Sequence, residues 1–399
     1  MLTLQLIYNM KKIFLLAVFI CIYLLQYAQQ VNVKDFGAKG DGIQDDLPAW
    51  DSAIAYVLSF PQYQTPEIVV PAGVYRFTNT LVIGGYAIKA ANCFSSDPVK
   101  KYLKTTKLNL GEFQKGTRTA SIKIVGSGTV SIYADFNDSI ELKPVISYQA
   151  AGDTRNSGST RQYTAEISNI GIYGKGSFTE GGRPALREKP LYRKNNQVGI
   201  LALYTPNLKL HQVLFWGLKE GLMLNNCGMM DIRNLKFEYC QRGIYEIQNH
   251  SGKLENISAW FCDKGIEIRS NQLVVDVYYA HSCGIGLHVA ASNNLFNSVY
   301  LESYHSGESQ LIVGDNPGEP NAAKNPLNGV AFNMLTIVAI KSDKSIGTGI
   351  TWKDNARRMT INGGTIQTCT FKFSPHKLAR VRYEGVTGTL PTAIAFKSD

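Results

Sequence analysis

The sequence predicts an all-β solenoid, and three observations carry that expectation. Five glycines, Gly199, Gly221, Gly243, Gly265 and Gly286, stand 22, 22, 22 and 21 residues apart, and each opens a short apolar run such as Gly-Ile-Leu-Ala-Leu or Gly-Leu-Met-Leu. A second ladder keeps the same phase: Val213/Phe215, Leu235/Phe237, Ile257/Ala259, Tyr278/Ala280 and Val299/Leu301. Two strands and their turns per repeat make one rung, and stacked rungs bury a continuous core that no single rung could bury alone. The composition agrees: 399 residues, 44% hydrophobic, with 36 glycines and 21 tyrosines, suit one large, turn-rich β domain.

Taken in order, Met1 to Asn9 precede Met10-Lys11-Lys12, an apolar run from Ile13 to Leu25, and Tyr27-Ala28-Gln29. A charged start, an apolar middle and a small residue near a cut describe a secretory signal over residues 1–29, and the apolar run is shorter than the roughly 20 residues that a membrane anchor needs. Cys21 follows Phe19-Ile20, where a lipid-attachment site would want small residues. The expected product is an exported chain, periplasmic or extracellular, with no membrane contact after cleavage.

The rest, 30–399, reads as one domain. Its start, Val31 to Gly42, is a short strand and a glycine-rich turn. Asp45 or Asp46 supplies a helix-capping carboxylate, and Trp50, Ile54, Val57 and Leu58 share one helical face. A helix in this cap, about residues 31–60, suits a plug over an otherwise open first rung. Ile68 to Tyr75 reads as strand, turn and strand around Pro71-Ala72-Gly73. Regular rungs run from about 199 to 307, lengthen through Pro317 to Pro326, and resume at Asn333–Ile337, Thr348–Trp352 and Met359–Ile361, with a closing cap expected after Pro375.

The run Asp35 to Asp46 with Ala49 and Ala53-Ile54, followed by Val69-Val70-Pro71-Ala72-Gly73-Val74-Tyr75, resembles the opening of the pectate-lyase-like superfamily, which includes polygalacturonase-related proteins and phage tailspikes. The resemblance implies a right-handed parallel β-helix and, for most characterised members, cleavage of polysaccharides. It carries no mechanism here: the polygalacturonase motifs Asn-Thr-Asp, Asp-Asp, Gly-His-Gly and Arg-Ile-Lys do not occur in the rung region, and Asp45-Asp46 lies in the cap, where it reads as structural. Many pectate lyases use calcium, but no acidic cluster in the sequence predicts a calcium site, so the cofactor is left open. Tailspikes trimerise; monomer and homotrimer both remain expectations. The leucine-rich repeat, the other solenoid of this period, would show Leu-x-x-Leu-x-Leu-x-x-Asn, which is absent from the rungs.

The net charge is +10, concentrated at Lys100 to Arg118 and again at Arg183, Arg187, Lys189, Arg193 and Lys194, in segments that break the repeat. Basic loops raise the local concentration of polyanions. For an exported chain with no nucleic-acid-binding motif, the polyanion expected is an acidic polysaccharide. Cys240, Cys262 and Cys283, spaced 22 and 21 apart on the column of Leu218 and Tyr304, read as small apolar core residues rather than disulfides, and no Cys-x-x-Cys or His-Glu-x-x-His offers a metal site.

Side chains alternate along a strand, so if Phe215, Phe237, Ala259, Ala280 and Leu301 point inward, then Trp216, Glu238, Trp260, His281 and Glu302 form an outward column. Leu214, Lys236, Ser258, Tyr279 and Tyr300 form the column beside it. This strip joins a group that titrates near neutral pH (His281), carboxylates (Glu238, Glu302), phenols able to pass a proton (Tyr279, Tyr300) and a cation (Lys236). Trp216 and Trp260 offer flat faces of the kind sugar rings stack upon, with Arg183, Arg187 and Arg193 as further substrate-binding candidates. Glu238 and Glu302 stand three rungs apart, about 14 Å, too far for the paired carboxyls of a glycoside hydrolase. The preferred expectation is therefore a lyase that cleaves a uronic-acid polysaccharide by β-elimination. A hydrolase drawing a second carboxyl from Glu180, Glu188, Glu308 or Asp315 stays open, as does a non-catalytic glycan-binding or surface-assembly protein.

Overall fold

A computed structural model describes residues 11–12, 30–60, 67–83, 121–136, 142–149, 164–175, 177, 195–203, 205, 207–225, 227–303, 309–314, 327–340, 347–353, 355–367, 369–373, 380–383 and 385–388. The basic segments 100–118 and 183–194 lie outside the described residues, and so do Glu180, Glu188, Tyr304, Glu308 and Asp315.

The described strands build a right-handed parallel β-helix, each strand pairing in parallel with its equivalent one rung earlier and one rung later. One sheet climbs through 143–149, Gln197–Leu203, Glu220–Asn225, the start of Arg242–Trp260, the start of Lys264–His281 and Ile285–Val289. The long strands that follow each of these, such as Leu208–Trp216 and Gly228–Glu238, are bent. A residue in the left-handed region interrupts four of them, Asn169, Gln212, Asn234 and Asn256, with φ between 54° and 59°. Short polar side chains tolerate that conformation best. Each rung therefore has three faces rather than the two strands expected from the repeat, and the third face carries the ladder from Val213/Phe215 to Val299/Leu301.

Inward columns follow the predicted phase. Val213, Phe215, Leu235, Phe237, Ile257, Ala259, Tyr278, Ala280, Val299 and Leu301 are all buried. Phe215 and Phe237 stack at 4.8 Å between ring centroids, and Phe296 stacks on Phe332 at 4.6 Å. Offset ring stacking at the rung spacing is what an in-register parallel ladder of identical residues permits. Cys240, Cys262 and Cys283 are buried free thiols in one column, as is Cys227 elsewhere in the core. The glycine column has a steric reason: a Cβ added to Gly199, Gly243 or Gly265 would lie 2.5 Å from the carbonyl oxygen of the glycine one rung on.

The helix Leu47–Leu58, here α1, closes the N-terminal end by burying Trp50, Ile54, Val57 and Leu58. Trp50 meets Tyr75 and Phe77 edge-on, at 5.6 and 5.3 Å. Asp46 stands at the N-cap, but its carboxylate turns away from the helix to accept from the Lys39 and Gly40 amides, while Asp45 accepts from Leu47 N–H at 3.2 Å and from the Thr78 hydroxyl. Both acids are thus spent on the cap, as the sequence reading assigned them. Glu67–Phe77 is one strand with a register shift between Pro71 and Gly73, which is the expected turn flattened into a bulge. Past Pro375, Arg380–Tyr383 and Val386–Gly388 add two further strands to the stack, and the rest of the expected closing cap, 376–379, 384 and 389–399, lies outside the described residues. Among the described residues no helix is long and apolar enough to cross a membrane.

Replacing Gly243 with alanine should destabilise the chain by about 1–3 kcal/mol, the usual cost of overpacking, without altering its far-ultraviolet spectrum. A urea midpoint equal to that of the parent protein would show that the glycine column is not under steric constraint.

Candidate functional site

Register fixes the third face. Trp216 pairs with Glu238, Glu238 with Trp260, Trp260 with His281 and His281 with Glu302. One position over, Leu214, Lys236, Ser258, Tyr279 and Tyr300 pair in the same succession. The fold therefore brings together the eight strip residues read from the sequence, Trp216, Lys236, Glu238, Trp260, Tyr279, His281, Tyr300 and Glu302. Arg183, Arg187 and Arg193 lie outside the described residues.

His281 sits in an aromatic bracket. Its ring stacks on Trp260 at 5.0 Å and on Tyr279 at 6.2 Å, and Phe261 meets it edge-on at 5.7 Å. Tyr279 in turn stacks on Tyr300 at 5.2 Å. The Tyr279 hydroxyl donates to Glu302 Oε2 at 3.3 Å. Burial, together with the charge and hydrogen bonding of Glu302, pushes the Tyr300 phenol above its ordinary range. The Tyr300 phenol thus stays protonated at neutral pH beside the Glu302 carboxylate.

Two members differ from the sequence expectation. Trp216 is only 8% exposed, wedged between Tyr173 at 6.2 Å and Tyr239 at 6.0 Å, so its ring offers no open stacking platform. Lys236 holds its ammonium 2.6 Å from Glu238 Oε1 and 5.3 Å over the Trp260 ring. Its charge is already offset, and with Glu302 the described strip carries one net negative charge when His281 is neutral.

Sequence reasoning missed the aromatic border of the strip. Tyr239 and Phe261, each one residue beyond the outward column, stand in left-handed turns at φ 52° and 55° and stack at 5.2 Å. Phe261 is 37% exposed. A bulky residue in that region stores strain of about 1–3 kcal/mol, which the neighbouring rungs must hold. The signal was present as the same 22-residue spacing, continued by Ser282.

It also missed a buried ionic cluster on the first sheet. Arg242 bonds both oxygens of Glu220 at 2.9 Å and reaches Glu267 with its remaining arm. Arg269 donates to Glu267 at 2.7 Å, and Lys264 approaches it at 3.4 Å. The Arg242 guanidinium lies 3.8 Å over the Tyr245 ring. His288 Nε2 bonds the Gly314 carbonyl at 2.8 Å, while Nδ1 stands 4.0 Å from Glu267. Burial would raise the Glu267 carboxyl, but the Arg242, Arg269 and Lys264 charges and His288 hold it well below the usual carboxylate range. Burial also lowers His288, with Glu267 pulling the other way. Arg242 bridges Glu220 one rung below and Glu267 one rung above, so the cluster reads as a clamp on the stack.

Among the described residues no group of three or more His, Cys, Asp or Glu side chains is placed to hold a metal ion.

Residues 30–307 match the family model described as rhamnogalacturonase A/epimerase, pectate lyase-like. No curated protein sequence matches the chain. Among solved structures, the chain is similar to the tailspike protein of Acinetobacter baumannii phage AM24, at 10% identity over 91% of this chain and 55% of that one, with a TM-score of 0.51. The ORF18 protein of Geobacillus virus E2 aligns at 16% identity, TM-score 0.40, over 92% of this chain and 61% of its own. The A-module of the Azotobacter vinelandii mannuronan C-5 epimerase AlgE4 aligns at 14% identity, TM-score 0.48, over 92% and 100%. The chain thus spans little more than half the length of the two phage proteins, and the likeness to the AM24 tailspike bears on fold alone.

The clamp makes a pH-dependent contribution to stability. Because the folded pKa of Glu267 is depressed, its contribution is complete above the unfolded value of about 4.3 and is lost as pH falls below it. Glu267→Gln should flatten the acid limb of a stability–pH curve, and Arg242→Met should cost about 3–5 kcal/mol at pH 7 by leaving two carboxylates buried without it. Denaturant unfolding from pH 3 to pH 7 measures both; an acid limb unchanged in the Gln variant would remove Glu267 from the clamp.

Proposed function

The chain belongs to the rhamnogalacturonase A/epimerase, pectate lyase-like family, and from that premise we propose that it is an exported enzyme acting on an acidic polysaccharide, cleaving it by β-elimination on the third face. The observation that carries the proposal is the juxtaposition of the His281 imidazole with two phenols, Tyr279 and Tyr300, that share Glu302. A glycan lying along the helix axis would pass its rings over Trp260 and past Phe261. His281 in its neutral form takes the proton on the carbon next to the sugar carboxylate. The electron pair left behind forms the new carbon–carbon double bond as the glycosidic oxygen departs, and Tyr279 or Tyr300 gives that oxygen a proton. Glu302 keeps the phenols oriented. General acid and base groups of this kind contribute on the order of 100-fold to 10,000-fold each.

The sugar carboxylate also requires a cation. Lys236 is engaged by Glu238, so it serves only if substrate draws it away; Arg183, Arg187 and Arg193 are the alternative source. This ion pair favours a second reading, a non-catalytic glycan-binding protein, because affinity for sugar rings on Trp260 needs no free cation and no proton donor.

The two readings separate in one assay. Incubated with pectins, alginates and glycosaminoglycans, the mature protein should generate ultraviolet absorbance from an unsaturated sugar end, and His281→Ala should lower that rate at least about 100-fold with the fold retained. Full activity in the variant would exclude His281 as the base. New reducing ends without absorbance would indicate hydrolysis, and neither signal alongside measurable binding would establish the second reading.

A further inference from the structure

Trp260 is met from both neighbouring rungs. Its strand pairs with that of Glu238 one rung earlier and with that of His281 one rung later. From the later rung the His281 ring stacks on the indole at 5.0 Å, 30° from coplanar, and the Tyr279 ring stands 5.6 Å away. From the earlier rung the Lys236 ammonium lies over the indole, 5.3 Å from the ring centroid. A sugar can therefore lie flat on this indole only where Lys236 now sits.

Glu238 holds that cover in place. The Lys236 ammonium stands 2.6 Å from Glu238 Oε1, and the two side chains are 48% and 12% exposed. The lysine is open to solvent along half its surface, while the carboxylate is set into the strip between Trp216 and Trp260. Lysine carries its charge on a flexible four-carbon stem with rotatable donors, so the ammonium can change partners while the strand stays still.

The charges decide which sugar can uncover the indole. A neutral sugar that displaced the ammonium would break the ion pair and leave a largely buried carboxylate without it, with stacking as the only gain. A uronic acid brings its own carboxylate, so the ammonium exchanges one anion for another as it leaves the ring face.

We propose that Lys236, latched by Glu238, is the specificity-determining cover of the Trp260 stacking face, opened by the carboxylate of an acidic sugar and shut against neutral ones. The inference rests on the reading of the third face as the glycan track, and it holds whether the bound glycan is cleaved or only held. The unit stacked on Trp260 is then the acidic one, one rung, about 4.8 Å, from the His281 position.

The test uses the mature full-length chain and calorimetric binding of galacturonate, glucuronate and mannuronate trisaccharides against the methyl esters of the same trisaccharides. Esterification removes the charge and keeps the ring. The parent protein should bind at least one acid at least about tenfold more tightly than its ester. Glu238→Gln should tighten acid binding, because the ammonium loses its competing anion. The double variant Lys236→Ala/Glu238→Gln removes the cover without leaving a carboxylate unpaired. It should bind the esters more tightly than the parent does and show no preference for the acids. Without ligand, acrylamide should quench Trp260 more strongly in the double variant than in the parent, each measured as the difference from the same protein carrying Trp260→Phe. An acid preference that survives in the double variant, esters bound by the parent as tightly as acids, no binding of any probe to the parent, or unchanged quenching would each overturn the cover. Acid-selective binding without an ultraviolet-absorbing product from any uronic-acid polymer would instead sink β-elimination and leave the cover standing.

Discussion

In-register parallel hydrogen bonding between rungs is the constraint from which the rest of this molecule follows. It sets the distance between equivalent residues of neighbouring rungs at about 4.8 Å, so any side chain repeated at the rung period must stack on itself. Apolar repeats become the inward ladders Phe215/Phe237 and Phe296/Phe332, and a glycine repeat becomes a column where backbone meets backbone. Residues that do not repeat are equally constrained. His281 meets Trp260 below and Glu302 above because the register leaves it no other neighbours on that column. The site is thus assembled from residues about 21 or 22 apart in sequence without any loop having to position them.

The same constraint explains what was legible in the sequence. Alternation within a strand and a fixed offset between strands suffice to place Tyr279, His281, Tyr300 and Glu302 on one surface, and an apolar helical face suffices to place Trp50 under the first rung. The bend between second and third faces was not legible because a single left-handed Asn or Gln turns the backbone while leaving the inward ladder in phase. The burial of Trp216 depends on Tyr173 and Tyr239, one in the preceding rung and one in a turn, and strand alternation says nothing of turns. Glu220, Arg242 and Glu267 look like solvated charges when each is read in its own strand. Their partners are one rung away, and only the register of the first sheet brings them together.

Electrostatics and shape pull the functional reading in a definite direction. The described strip is not a cationic surface: Lys236 is matched by Glu238, and Glu302 leaves a net negative charge. A uronate on this face would be neutralised by Lys236 only on release from Glu238, or by a cation from outside the strip, whereas the aromatic surface is built in, from Trp260 and Phe261 to Tyr279 and Tyr300. On the proposed reading the aromatic components define the track and the ionisable components one point on it, a division that suits a polymer recognised mainly through its ring faces and attacked at a single unit.

Hydroxyl-radical footprinting of the mature protein with and without a cleavage-resistant glycan from any polymer it binds tests this account most directly. Protection confined to Trp260, Phe261, Tyr279, His281 and Tyr300 is the result that the register and the aromatic track require. Unchanged labelling along that strip, with protection appearing instead on the first face around Tyr245 and His288, would contradict the assignment of the third face as the glycan track.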